Sequence, residues 1–132
     1  MIIFDVVSKM ALDATLTTLL SAATDPKIYP LQAPQEAVEP YIRYSGAGVG
    51  PDDEVLDEAR VQLTIVSDDY KEVVDIAKRL KALFDLQDQV SIPSDDYYIY
   101  YGKLTGDMDV MEPEQGHFEK TVFFNFKYKK KT

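Results

Sequence analysis

The chain has 132 residues, 45% of them hydrophobic, with 14 Lys and Arg against 23 Asp and Glu and no cysteine. That length suits one domain with a core of its own, and the lack of cysteine excludes a disulfide framework, a thiolate metal site and a cysteine nucleophile. The formal charge of −9 is unevenly spread: Lys127, Lys129, Lys130 and Lys131 fall within the last six residues, leaving the other 126 at −13, a body that repels phosphate and argues against sequence-independent nucleic-acid binding.

Asp5 and Lys9 interrupt the apolar N-terminal stretch, so no signal-peptide core is expected there. The uncharged run 14–24 is too short and too rich in Thr to cross a bilayer. The protein is expected to be soluble and made in the cytoplasm, without a membrane partner.

Residues 3–23 read as one amphipathic helix, with Val7, Leu12, Leu16, Leu19, Leu20 and Ala23 recurring mostly at three- and four-residue steps. Asp5 suits its first turn and Asp25-Pro26 ends it. Pro30, Pro34 and Pro40 make 27–40 extended, with room for a short strand at Ile28–Leu31. Tyr41–Ser45 is aromatic and β-branched and reads as a strand. Gly46-Ala47-Gly48-Val49-Gly50-Pro51 is read as holding no regular element, so that 46–57 is expected to be a mobile acidic loop in which Gly46, Gly48, Gly50, Asp52, Asp53 and Glu54 serve assembly.

The clearest strand is 59–67, where Ala59, Val61, Leu63 and Ile65 alternate with Arg60, Gln62 and Thr64. The clearest helix is 69–84. Asp69 and Glu72 form a capping-box-like start, and Val73, Ile76, Ala77, Leu80, Leu83 and Phe84 make an apolar stripe. Lys78, Arg79 and Lys81 lie off that stripe. A polar connection with Pro93 leads to a strand over Tyr97–Tyr101, a turn over Gly102–Gly106, a weak strand near Met108–Glu112, and a last strand over Lys120–Tyr128 with Val122, Phe124, Phe126 and Tyr128 on one face. Helices and strands do not alternate regularly. The expected fold is therefore α+β: a mostly antiparallel sheet of four to five strands with two helices packed on one face, in a single domain 1–132 with a basic end at 127–132.

The chemistry-bearing residues are sparse. His117 is the one histidine, and it reads as a solvated loop residue because Glu112, Glu114 and Glu119 give no metal-binding spacing on a helix. No serine sits in a nucleophile elbow. The glycine stretch lacks the Lys and hydroxyl of a P-loop and is followed by acids. The pairs Asp52/Asp53, Asp68/Asp69, Asp95/Asp96 and Asp107/Asp109 match no EF-hand and read as solvated, with Asp68/Asp69 opening a helix. No catalytic site, metal or cofactor is expected. The unusual feature is Tyr97-Tyr98-Ile99-Tyr100-Tyr101, apolar on both faces with polar tips, which suits a strand buried on one side by the core and on the other by a partner. Tyr97, Tyr98, Tyr100 and Tyr101 are the candidate contact residues.

One succession of segments is specific in its order. A Leu-rich helix ends in Thr-Leu-Thr-Thr-Leu-Leu. Ile28-Tyr29-Pro30-Leu31, Ala33-Pro34-Gln35 and Pro40-Tyr41-Ile42-Arg43-Tyr44 follow. A Gly-rich loop leads into Ala59-Arg60-Val61-Gln62-Leu63-Thr64-Ile65, and Asp69-Tyr70 opens a helix closing in Arg79-Leu80-Lys81-Ala82-Leu83. Over roughly residues 10–84 the chain resembles the tail-completion (tail terminator) proteins of long-tailed phages and prophages. The resemblance implies a structural subunit, not an enzyme, forming a hexameric ring with copies of itself. Such a ring caps the tail tube, ends its polymerisation and joins it to the head. The implied partners are the tail tube protein and head-connector proteins, with DNA passing through but not specifically bound. The implied locations are the host cytoplasm during assembly and the virion tail. Two features depart from the family: its loop corresponding to 46–57 is often shorter and less acidic, and the tyrosine strand is no motif of it. The alternative reading is a generic acidic protein-interaction module, with a small-molecule enzyme a distant third.

Overall fold

A computed structural model describes residues 2–22, 26–34, 37–51, 57–85, 92–112 and 116–131. In chain order the elements are α1 (Ile2–Ala11), α2 (Ala14–Leu19), β1 (Ile28–Pro30), β2 (Tyr41–Pro51), β3 (Asp57–Ser67), α3 (Tyr70–Phe84), β4 (Tyr97–Glu112) and β5 (His117–Lys130). The five strands form one sheet in the order β1-β2-β3-β5-β4. Only β1 runs parallel to its neighbour, pairing Ile28 with Ile42; the other three pairings are antiparallel.

Alternation fixes which side of the sheet is covered. Ala59, Val61, Leu63 and Ile65 of β3 and Val122, Phe124 and Phe126 of β5 are buried on one face, together with Ile42 of β2. Onto that face α3 lays the stripe expected of it, Val73, Ile76, Ala77, Leu80, Leu83 and Phe84, all buried. The helix ends against the sheet through Phe84, whose ring centroid lies 5.7 Å from those of both Phe124 and Phe126 at near-perpendicular tilts. Ile3 of α1 reaches the same side, beside Gly46.

The first helix is two helices, not one. Leu12 is 84% exposed and contributes nothing to the core, while Ile2, Ile3, Val6 and Met10 are buried before it and Leu16 and Leu20 after it. Asp13 causes the break. It stands in extended conformation and its carboxylate accepts from the Leu16 N–H at 2.9 Å, starting α2 afresh. The same carboxylate accepts two hydrogen bonds from the Arg79 guanidinium, Nε at 2.9 Å and Nη2 at 2.6 Å, which ties α2 to α3. These bonds outweigh the effect of burial and hold the Asp13 carboxyl below its usual value of 3.8.

The start of α3 also recruits a residue beyond the expected pair. Asp69 caps by accepting from Lys71 N–H at 3.0 Å, whereas Glu72 accepts from the Ser67 hydroxyl at 2.7 Å, and that hydroxyl accepts from the Asp69 N–H at 3.1 Å.

Two sequence expectations are corrected in the strands. Gly46–Pro51 is not a loop; it continues β2 against β3, with a register shift between Gly48 and Gly50. At Gly46 the missing side chain lets α1 lie close, since a Cβ there would sit 3.1 Å from that of Ile3. Likewise Gly102–Gly106 is not a turn. The expected tyrosine strand and the weak strand near Met108–Glu112 are one strand, β4, with register shifts between Ile99 and Tyr101 and between Leu104 and Gly106. A Cβ on Gly102 would lie 2.5 Å from the Phe84 carbonyl oxygen and 2.6 Å from the Phe126 ring, so glycine is what allows the end of α3 to rest on β4. The expected last strand extends at both ends, to His117 and Lys130.

Two predictions follow from this packing. Gly102→Ala is expected to cost about 1–3 kcal/mol through overpacking, and Gly106→Ala, where nothing lies within 4 Å of the added methyl, to be close to neutral; equilibrium denaturation of both variants checks the contrast. Asp13→Ala removes a cap and a charge-assisted pair and is expected to cost about 2–4 kcal/mol at neutral pH. Because the native carboxyl titrates below its usual value of 3.8, that contribution is complete above this value and is lost as pH falls below it through the native one. Parallel unfolding curves of wild type and Asp13→Ala should therefore converge in acid.

Candidate functional site

Among the described residues, the helices cover one face of the sheet and leave the other open. The open face is read from strand register. Across β3, β5 and β4 lie the rows Arg60–Asn125–Lys103 and Thr64–Thr121–Met108, with Gln62–Phe123–Gly106 between them and Thr105 at the register shift beside it. Beyond Asn125, Glu58 pairs with Lys127, and Lys129 lies opposite Tyr98. Thr64 and Thr121 are buried and share a hydroxyl hydrogen bond of 3.0 Å. At the centre, Ser45, Arg60, Gln62, Thr105, Phe123 and Asn125 line a concavity of about 390 Å³.

The register shift between Ile99 and Tyr101 interrupts the alternation of the tyrosine strand. Tyr97 turns to the covered side with buried Ile99 and meets Tyr128 edge to face at 5.2 Å, while half-buried Tyr101 packs at the edge of the core, paired with Lys127. Tyr98 and Tyr100 turn to the open side and are 54% and 42% exposed. Lys131 Nζ stands 5.1 Å from the Tyr98 ring centroid. Of the four candidate contact residues, Tyr97 and Tyr101 are half-buried against the core and Tyr98 and Tyr100 are exposed. Both belong to an edge strand, since β4 closes the sheet on this side.

The other candidates scatter. Gly46, Gly48 and Gly50 lie in β2, and Asp52, Asp53 and Glu54 lie outside the described residues. His117 is not a solvated loop residue; it opens β5 with a side chain only 12% exposed, its Nδ1 3.1 Å from Glu39 and its Nε2 4.0 Å from Glu119. Glu119 also accepts from Arg43 at 2.6 Å. This network ties the chain entering β2 to the start of β5. Asp107 and Asp109 are engaged as well: Asp107 with Lys81 at 2.9 Å, Asp109 with Lys120 at 3.0 Å and with the Tyr70 hydroxyl at 3.1 Å. Lys81 and Lys120 hold the Asp107 carboxyl below its usual value. Among the described residues no group of three or more His, Cys, Asp or Glu is arranged to hold a metal, and no helix is long and apolar enough to cross a membrane.

The site is thus a surface rather than a cleft: an open sheet face and an aromatic edge strand on a five-stranded sheet backed by helices. This arrangement meets a sequence match. The family model for "Tail completion protein gp17" matches residues 5–129. The chain belongs to the tail-completion protein family. It is a structural tail protein of the phage type, and the match extends beyond the segment that carries the sequence resemblance, through the whole of β4 and almost all of β5. A solved structure described as "Virion of native gene transfer agent (GTA) particle" contains a chain of the same fold, with a TM-score of 0.72 at 12% identity, covering 96% of this chain and 92% of that one. Among curated proteins no sequence matches. A tail-completion subunit is expected to work through surfaces it offers to other proteins, and the open face and edge strand are such surfaces.

The long β2–β3 hairpin bears directly on that use. Amides of 46–48 that point at β3 are expected to exchange with solvent as slowly as those of their partners Ala59–Val61; exchange at the rate of an unstructured peptide would mean that the outer half of the hairpin does not form.

Proposed function

We propose that this tail-completion protein assembles with copies of itself into a ring, a hexamer, that caps the tail tube, ends its polymerisation and joins it to the head. Its partners in this reading are the tail tube protein and head-connector proteins, met in the host cytoplasm during assembly and kept in the virion tail. The observation that carries the reading is the pair Tyr98 and Tyr100, large exposed aromatics on the edge strand of a sheet with one open face, in a chain of the tail-completion family. Exposed aromatics of this kind are the usual anchors of protein interfaces. The charge of −9 supports passage of DNA through such a ring, because an acidic body does not hold phosphates.

Light scattering and native mass spectrometry test the proposal. The wild type is expected to form a closed oligomer at high concentration. Tyr98→Ser/Tyr100→Ser should weaken association by about tenfold or more at each joint, since truncating an interface aromatic commonly costs more than about 1 kcal/mol. A wild type that stays monomeric and fails to bind the ends of tail tubes would leave a general interaction module as the better reading.

A further inference from the structure

A second exposed surface lies on the opposite layer. Along α1 the positions Phe4, Ser8 and Leu12 recur every four residues and all face solvent, Phe4 at 58% and Leu12 at 84% exposure. A groove of about 190 Å³ between Ser8, Leu12 and Pro93 flanks this ridge. Acids border the ridge, and among the described residues Lys9 is the one cation lining its groove. Asp5 sits beside Phe4 and accepts from the Ser94 hydroxyl at 2.9 Å, which brings exposed Asp95 and Asp96 to the same place.

The open sheet face has the opposite sign. Arg60, Lys103 and Lys129 stand on it, and among the described residues none of the three makes an ion pair. Arg60 lines the Phe123 concavity, Lys103 lies in the next row opposite Asn125, and Lys129 stands further along β5 opposite Tyr98, with Met108 exposed on the other side. Asn125, at the edge of the concavity, donates to Glu58 at 2.7 Å.

We infer that the α1 ridge of one copy docks on the open sheet face of the next. Phe4 and Leu12 pack against Phe123, Ser8 lies near Asn125, and Asp5, Asp95 and Asp96 face Arg60 and Lys103. This gives the bare side of the sheet the helical layer it lacks. The two surfaces are unlike and sit on opposite layers of the same subunit, so the contact is head-to-tail and repeats from copy to copy. A contact of that kind makes a ring when its rotation closes, whereas a two-fold contact would stop at a dimer. The inference rests on the ring reading and assigns its joint.

Complementation by mixing tests it. A ridge variant, Phe4→Asp/Leu12→Asp, and a face variant, Arg60→Glu/Lys103→Glu, change only exposed residues. Each alone is expected to associate at least about tenfold more weakly than wild type. Mixed in equal amounts, each supplies the surface the other lacks, and native mass spectrometry should show one joint only, a particle of about 30 kDa from two chains of 15.0 kDa. Circular dichroism checks that both variants fold, and Ser8→Arg with Thr105→Arg provides a second pair should either fail. If the wild type forms a ring and both variants form it equally well, the inference falls and the ring reading stands. If either variant dimerises by itself, the contact is two-fold and the inference falls. A wild type that stays monomeric at every concentration removes both. A monomer whose open face retains a short DNA duplex, and loses it on Arg60→Glu/Lys103→Glu, assigns that face to nucleic acid instead and overturns the proposal.

Discussion

The packing of one ring at the end of α3 governs the arrangement of this subunit. Phe84 lies within 6 Å of two β5 rings, Phe124 and Phe126, and its carbonyl rests where a side chain on Gly102 would be. That contact joins three elements far apart in sequence: the helix, the inner strand β5 and the edge strand β4. It fixes the depth at which α3 sits on the sheet, and hence which face is filled. Interiors pack at near-crystalline density, so a one-atom change at Gly102 is felt directly. Once α3 occupies this face, Arg79 is positioned to reach Asp13, and the short helix α2 is held in turn.

A two-layer subunit of this size has consequences for its surface. The helices are spent on one side, and the sheet's other side keeps a mixture of threonines, cations and a phenylalanine. The Glu39, His117, Glu119 and Arg43 network closes one end of that side, while the end bearing Tyr98, Tyr100 and Lys129 stays open. Two register shifts twist β4, a common way for an edge strand to avoid indiscriminate pairing. The aromatic face is therefore better placed for a specific contact than the backbone edge itself. Among the described residues, Arg60, Lys103 and Lys129 stand without ion pairs where the sheet is bare.

The candidate site was partly legible in the sequence. The tyrosine run marks a strand that forms, with Tyr98 and Tyr100 exposed, but the register shift between Ile99 and Tyr101 interrupts the simple alternation and leaves no pattern in the sequence. The ridge on α1 was not visible, because Leu12 fits the stripe of an uninterrupted helix as well as it fits an exposed turn; the five-residue step from Val7 to Leu12 was the only sign. His117 was misplaced for a similar reason. Its burial depends on Glu39 and Glu119, one far off in sequence and one across a strand pleat, and neither proximity leaves a pattern in the sequence. Arg79 lies off the apolar stripe of its helix, and only the fold brings Asp13 beside it.

What the sequence determined by itself was the set of elements whose burial is periodic. The 59–67 strand, the 69–84 helix and the 120–128 strand each repeat apolar residues at the period of one backbone geometry, so the local pattern and the core agree. What only the tertiary structure decided was the meaning of the glycines and of single charged residues. Gly46 and Gly102 look like breaks in the chain, yet both lie inside strands, because a helix passes too close for a Cβ. Asp13 looks like a polar position within a helix, yet it ends one helix and caps the next while pairing with a side chain 66 residues away. Close approach and long-range charge pairing depend on distances set by the whole fold. Periodicity records only which side of a single element faces the core.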